Sequence, residues 1–249
     1  MIKPIASTTE PGCWTFAPRP RPTRELLGLL AGGPLAVRTD QDLARVERRI
    51  AELRGELVTR PIVFLGTGTC GLGAGAAKTL DAIQAYLAER KLDAEVRQVG
   101  CIGLCSEEPI MDVQLPGRTR LSFGNVSADR VAAILEAAFA GRLPAATNVL
   151  GQFRADGLTP WPEVPYLDEH PFLVHQRRVV LPNCGLIDPC DLDAYLANGG
   201  YQALLAAVRG KTPEEIIGKS PYFIFSKEEA EKRLRIVDAV FNTGETHKI

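Results

Sequence analysis

Three of the six cysteines lie in two glycine-rich stretches, Gly66-Thr67-Gly68-Thr69-Cys70-Gly71-Leu72-Gly73 and Gly100-Cys101-Ile102-Gly103-Leu104-Cys105. Thiolates that hold a metal or a metal cluster need close backbone approach and N–H donors to sulfur. Glycine allows both, because it has no Cβ and takes positive φ freely. The spacing Cys101-x3-Cys105 suits two ligands from one tight loop. The two loops contain no fourth cysteine, and the functional reading turns on that absence.

Other chemistries compete for the same residues. Zinc would need three cysteines and one outside ligand, and His170 and His175 are available at a spacing that carries no signal. Cys70 alone, near a helix start, could be a low-pKa thiol or a small buried side chain. Thiol exchange of the thioredoxin type expects Cys-x-x-Cys, which is absent from the sequence. Gly66-x-Gly68-x-x-Gly71 stands where a dinucleotide fingerprint stands. That fingerprint also wants an acid at the end of the second strand, and here the strand ends in Val99-Gly100-Cys101.

Residues 59–141 must position these loops, and they read as one α/β unit. Ile62-Val63-Phe64-Leu65 is a buried strand, followed by the first loop. A helix from about Ala74 to Lys91 carries Ala76, Leu80, Ile83 and Leu87 on one face. Glu95 to Val99 is a second strand, and the Cys101/Cys105 loop runs to Pro109. Ile110–Gln114 and Thr119–Phe123 form an antiparallel hairpin across Pro116-Gly117. A helix capped by Ser127 presents Val131, Ile134, Leu135, Ala138 and Phe139 and closes at Gly141. The order is βαβββα, which brings Cys70, Cys101 and Cys105 to one end of the sheet.

Around this unit, residues 1–58 are a proline-rich arm with Cys13, a short helix over 24–30 and an amphipathic helix. The amphipathic helix starts at the capping box Thr39-x-x-Asp42 and carries Leu43, Val46, Ile50 and Leu53. Residues 142–172, with Pro144, Pro160, Pro162, Pro165 and Pro171, read as a semi-extended connector. Residues 173–249 hold a strand-like run near 178–181, then helices over 191–197, 201–209, from 213, and 226–241. Cys184 and Cys190 in this segment read as packing residues.

The 249 residues carry 29 Lys plus Arg against 30 Asp plus Glu, a net charge of -1. No strongly basic face is implied, so nucleic acid is not an expected partner. Apolar runs fall far short of the ~20 residues of a membrane span, and residues 1–16 lack the apolar core of a signal peptide. The expected location is the cytoplasm, with any membrane association made through a complex, and the cysteines are expected as reduced thiols or ligands rather than disulfides.

Residues 61–140 resemble the thioredoxin-like 2Fe-2S ferredoxin module that forms the small iron–sulfur subunit of NADH-quinone oxidoreductase, found also in related hydrogenases and formate dehydrogenases. Cys101-x3-Cys105-x3-Pro109 matches the second half of that family's cysteine pattern, and Cys70 matches the later cysteine of the first half. The earlier cysteine falls on Leu65, so the four thiolates of the module become three. Past the connector, His170-Pro171-Phe172, Gln176 to Leu181, Asn183-Cys184-Gly185-Leu186-Ile187-Asp188-Pro189 and Gly199-Gly200-Tyr201 resemble the lead-in segment of the NADH-binding, FMN-bearing subunit of the same complexes. The FMN and NADH elements of that subunit are not visible here.

The resemblance implies a thioredoxin-like fold and a place among the subunits of an NADH-linked oxidoreductase, with flavin-bearing or iron–sulfur subunits as partners. Two readings follow. In one the chain relays electrons through a 2Fe-2S cluster held by Cys70, Cys101 and Cys105, with a fourth ligand from Cys13, Thr67, Thr69 or a partner. In the other it is a non-catalytic assembly subunit whose ferredoxin shell has lost its cluster, a reading that Leu65 favours.

Overall fold

The apolar run at 62–65 forms β1 (Ile62–Gly66), buried at every position, as a central strand covered on both faces must be. β1 pairs in parallel with β2 (Glu95–Val99) and antiparallel with β3 (Met111–Gln114). β3 turns back into β4 (Leu121–Gly124) as the expected hairpin. β5 (Asn148–Gln152) adds to the far edge, giving the sheet order β2-β1-β3-β4-β5. The βαβββα order of a mixed α/β unit is therefore present, with one further strand. This computed structural model describes residues 38–145, 147–176, 178, 181–201 and the single positions 228, 231 and 235. The chain divides into two compact units, Met1–Gly200 and Tyr201–Ile249, and the sheet belongs to the first.

Strand alternation sorts the two faces of the sheet. Val63, Leu65, Met111, Val113, Leu121 and Phe123 face one way and form the main core. Against them pack α3 (Ala76–Arg90), through Ala76, Ile83 and Leu87, and α4 (Ala128–Phe139), through Val131, Ile134 and Leu135. The helix expected over about 74–91 is present as α3, and a further short helix forms inside the first glycine loop ahead of it. α2 (Thr69–Gly73) precedes α3, and the chain reverses between them at Gly75 with φ +105°, a conformation glycine takes without a steric penalty.

The other face is mixed in polarity. Ile62 and Phe64 lie there with Val99, beside the buried pair Asp112 and Arg120. The Arg120 guanidinium stacks on Phe64 at 3.5 Å and Phe153 at 4.5 Å and donates to Gly185 O at 2.6 Å. A buried cation persists only when paired and hydrogen-bonded, and these contacts supply both conditions.

α1 (Asp40–Leu53) begins at the predicted capping box, with Thr39 and Asp42 satisfying each other's backbone N–H groups. Hydrogen bonds from the Thr39 side chain and backbone hold the Asp42 carboxyl down at about 2. The α1 stripe Val46, Ile50 and Leu53 packs on Ala194, Leu196 and Ala197 of α5 (Leu192–Ala197).

The proline-rich connector differs from its expected form, since it supplies β5 and a 3₁₀ turn at Leu167–Glu169. Proline bars a ladder only where it stands, and β5 contains none. Gly151 lets the 165–167 segment pass, because a Cβ there would lie 3.0 Å from Leu167 N and Pro165 O. Arg178 and Leu181, the described ends of the strand-like run, are not in a strand. The arm and helix expected in 1–30, the helices expected from 201 onward, and Cys13 lie outside the described residues, apart from single positions. No helix among the described residues is long and apolar enough to cross a membrane.

Candidate metal centre

Parallel pairing of β1 and β2 places the loops after them side by side. Gly66 N–H donates to Ile110 O at 2.9 Å, and Thr67 N–H donates to Val99 O at 3.0 Å. The first loop delivers Cys70 on the opening turn of α2. The second delivers Cys101 and then Cys105, which starts a 3₁₀ turn through Glu107. Gly68 permits the approach, because a Cβ on it would lie 3.3 Å from Cys101 N. A side chain on Gly71 would overlap the Gly66 carbonyl.

The sulfurs of Cys70, Cys101 and Cys105 all lie within 4.8 Å of one another. Cys101 Sγ and Cys105 Sγ are 3.6 Å apart, and Gly103 N–H, at φ +93°, donates to Cys101 Sγ at 3.1 Å. Cys70 and Cys101 are half-buried and Cys105 is exposed. Burial raises the Cys70 thiol pKa, and burial raises that of Cys101 more strongly against the Gly103 hydrogen bond. Cys70 and Cys101 are therefore shifted away from the lowered pKa of a redox-exchange thiolate. Burial and neighbouring thiols oppose ionisation of Cys70 and Cys101, and a bound cation would relieve that opposition. The donor set and the glycine cradle fit a thiolate-bound metal centre.

Two residues passed over in the sequence belong to this site. Glu108, only 5% exposed, places Oε1 3.7 Å from Cys70 Sγ and accepts from Ile110 N–H through Oε2 at 2.8 Å. Burial raises its pKa. Arg178 donates to the Ile102 carbonyl within the Cys101 loop. Cys184, read as a packing residue, stands beside the loop, its Sγ 3.7 Å from where a Cβ on Gly100 would lie. With Cys190, Leu192 and Tyr195 it lines a cavity of about 490 Å³. An acid preceding a proline reads as an ordinary loop residue, so Glu108 gives no signal without its tertiary contact.

The remaining sequence candidates fall elsewhere. Leu65 is fully buried in the helix-facing core, paired across to Met111. Thr69 is exposed at the start of α2. His170 is engaged by Phe172 N–H at 3.2 Å, and neither His170 nor His175 belongs to the sulfur group.

Fold and site together define a class: a mixed α/β unit whose two loops at one end of its sheet bring together three cysteines that could hold a metal ion. No family model matches the chain. It is similar to the NADP-reducing hydrogenase subunit HndB of Solidesulfovibrio fructosivorans, with 27% identity over 95 residues, 38% of this chain and 75% of that one. Among solved structures, a thioredoxin-like [2Fe-2S] ferredoxin from Aquifex aeolicus is matched over its whole length and 41% of this chain, at 17% identity and a TM-score of 0.34. A second structure, of the wild-type form of that ferredoxin, is matched over 97% of its length and 37% of this chain, at 17% identity and a TM-score of 0.32.

Proposed function

We propose that this chain is an electron-transfer subunit of a multisubunit oxidoreductase of the NAD(P)-linked hydrogenase kind, with a 2Fe-2S cluster held by Cys70, Cys101 and Cys105. The observation that carries the reading is the convergence of three sulfurs, from two separate loops, within 4.8 Å. The likeness to a hydrogenase subunit supports the setting. When bound, the cluster accepts and passes on one electron at a time. The chain's own residues hold it, and the Gly103 N–H that meets Cys101 Sγ tunes sulfur basicity, as outer hydrogen bonds do at metal sites. Exposed Cys105 marks the side on which a redox partner, a flavin-bearing or iron–sulfur subunit, would approach. The likeness of 170–201 to the lead-in of a flavin-bearing, NADH-binding subunit belongs to the same proposal, as a segment suited to docking in such a complex.

The test is iron and acid-labile sulfide per chain on protein purified without oxygen, with electron paramagnetic resonance after reduction. About two of each per chain and a rhombic signal are expected, together with co-purification of hydrogenase or dehydrogenase subunits from the source cells. A second reading, an assembly subunit without a cluster, is favoured by one observation: Leu65, the position aligned with the missing cysteine, is fully buried in the core. A colourless chain that still co-purifies with the same subunits would establish that second reading.

A further inference from the structure

A buried carboxylate, Glu108, stands beside Cys70 at the three-cysteine site. We infer that the Glu108 carboxylate completes the ligand set, making a mixed site of three thiolates and one carboxylate. The inference rests on the cluster reading proposed for Cys70, Cys101 and Cys105.

The donors fall into two pairs. Cys101 Sγ and Cys105 Sγ are 3.6 Å apart, and Cys70 Sγ and Glu108 Oε1 are 3.7 Å apart. At a tetrahedral ion with bonds of about 2.0–2.3 Å, two donors stand roughly 3.4–3.8 Å apart. Each pair therefore has the spacing of two ligands on one metal. The spacing alone would also suit a thiol hydrogen-bonded to an acid. Three further observations favour ligation.

Glu108 is only 5% exposed and makes no ion pair among the described residues. A buried carboxylate without a cation is costly, and a metal would supply the missing charge. Its other oxygen is fixed by Ile110 N–H at 2.8 Å, the kind of outer hydrogen bond that orients a ligating carboxylate. The glycines of the first loop also clear space for it, since a Cβ on Gly66 would lie 2.8 Å, and one on Gly71 3.2 Å, from Glu108 Oε2. The neighbouring acid is occupied elsewhere. Glu107 Oε2 accepts from Asn125 Nδ2 at 2.8 Å and from Asn148 Nδ2 at 2.7 Å.

The carboxylate also explains why Leu65 can be apolar. The fourth donor reaches the site from the second loop, which leaves the corresponding position on β1 free to serve the core.

The test uses the full chain, purified anaerobically and reconstituted with ferrous iron and sulfide, as wild type, Glu108→Gln, Glu108→Cys and Cys184→Ser. Readouts are iron and sulfide per chain and iron-edge X-ray absorption. The wild type is expected to show one oxygen-type neighbour at about 2.0–2.2 Å alongside the sulfurs. Glu108→Cys should keep its iron, lose that oxygen shell and shift the visible absorption. Glu108→Gln preserves the acceptor for Ile110 N–H but not the anion, and it should retain less than a third of the wild-type iron. Cys184→Ser should match the wild type.

Full iron in Glu108→Gln with no oxygen shell in the wild type would overturn the assignment while leaving the cluster reading intact. Loss of iron in Cys184→Ser, with Glu108→Gln unaffected, would move the fourth ligand to Cys184. A wild type that takes up no iron would overturn both readings. If Glu108→Gln fails to fold by circular dichroism, the wild-type oxygen shell and its loss in Glu108→Cys decide the matter.

Discussion

At the scale of single residues, the glycines of the cysteine loops are not interchangeable. Gly71 has no room for a side chain, since its Cβ would overlap the Gly66 carbonyl, whereas Gly73 has nothing within 4 Å of the same atom and an ordinary backbone. Gly71→Ala should lower stability by about 1–3 kcal/mol, the usual cost of overpacking, and displace Cys70 from its partners. Gly73→Ala should be neutral or stabilising by about 0.5–1 kcal/mol through helix propensity and a less flexible unfolded chain. Thermal unfolding and iron content of the two variants, side by side, check the contrast. The sequence makes the convergence of Cys70, Cys101 and Cys105 legible, because strand, glycine loop and helix follow one another with clear punctuation. It does not make Glu108 or Cys184 legible. Glu108 matters through one contact across 38 positions of chain, and Cys184 through an approach to Gly100 that no local spacing encodes.

At the scale of elements, β5 shows where pattern reading stops. Its five residues sit among prolines and carry little alternation, and tertiary pairing with β4 decides their state. Gln152 anchors that pairing. Its buried amide accepts from Thr119 Oγ1 and Trp161 N–H, both at 2.7 Å, and donates to the carbonyls of Trp161 at 3.0 Å and Val164 at 2.6 Å. Gln152→Ala strands those partners, and each buried group left unsatisfied costs about 1–3 kcal/mol. A loss on the order of 3 kcal/mol in urea unfolding is expected, with β5 and the 161–167 segment losing hydrogen-exchange protection first. α1 is the opposite case, because its start is fully written in Thr39 and Asp42. The folded-state pKa of Asp42, about 2, is below its ordinary 3.8. Its contribution is therefore fully present above pH ~4 and lost as pH falls toward ~2. The urea midpoint should fall over that window, and Asp42→Asn should flatten this part of the fall while lowering the midpoint at neutral pH.

At the scale of the molecule, segments far apart in sequence close over the mixed face and the edge of the sheet. α1 and α5 meet through Val46, Ile50, Leu53, Ala194, Leu196 and Ala197. Arg97, on β2, donates to the last-turn carbonyls of α1, Glu52 O at 3.2 Å and Leu53 O at 3.5 Å. Arg120, just before β4, donates to Gly185 O. The α/β unit is thus buttressed by residues on both sides of it in the sequence, and the 183–187 stretch brings Cys184 against the loop that carries Cys101. Ile50, 3% exposed, tests whether this closure is part of the fold or only leans on it. Ile50→Asp places an unpaired charge in the α1–α5 interface, at a cost on the order of 3 kcal/mol. Limited proteolysis should then cut within 181–200 while 62–139 stays protected by its own core, and iron should be lost faster to a chelator as the cover over Gly100 loosens. If 62–139 is cut at the same rate as 181–200, the sheet and its cover unfold as one cooperative body. The same chelator rate in variant and wild type would show instead that the cysteine loops are shielded by the sheet end alone.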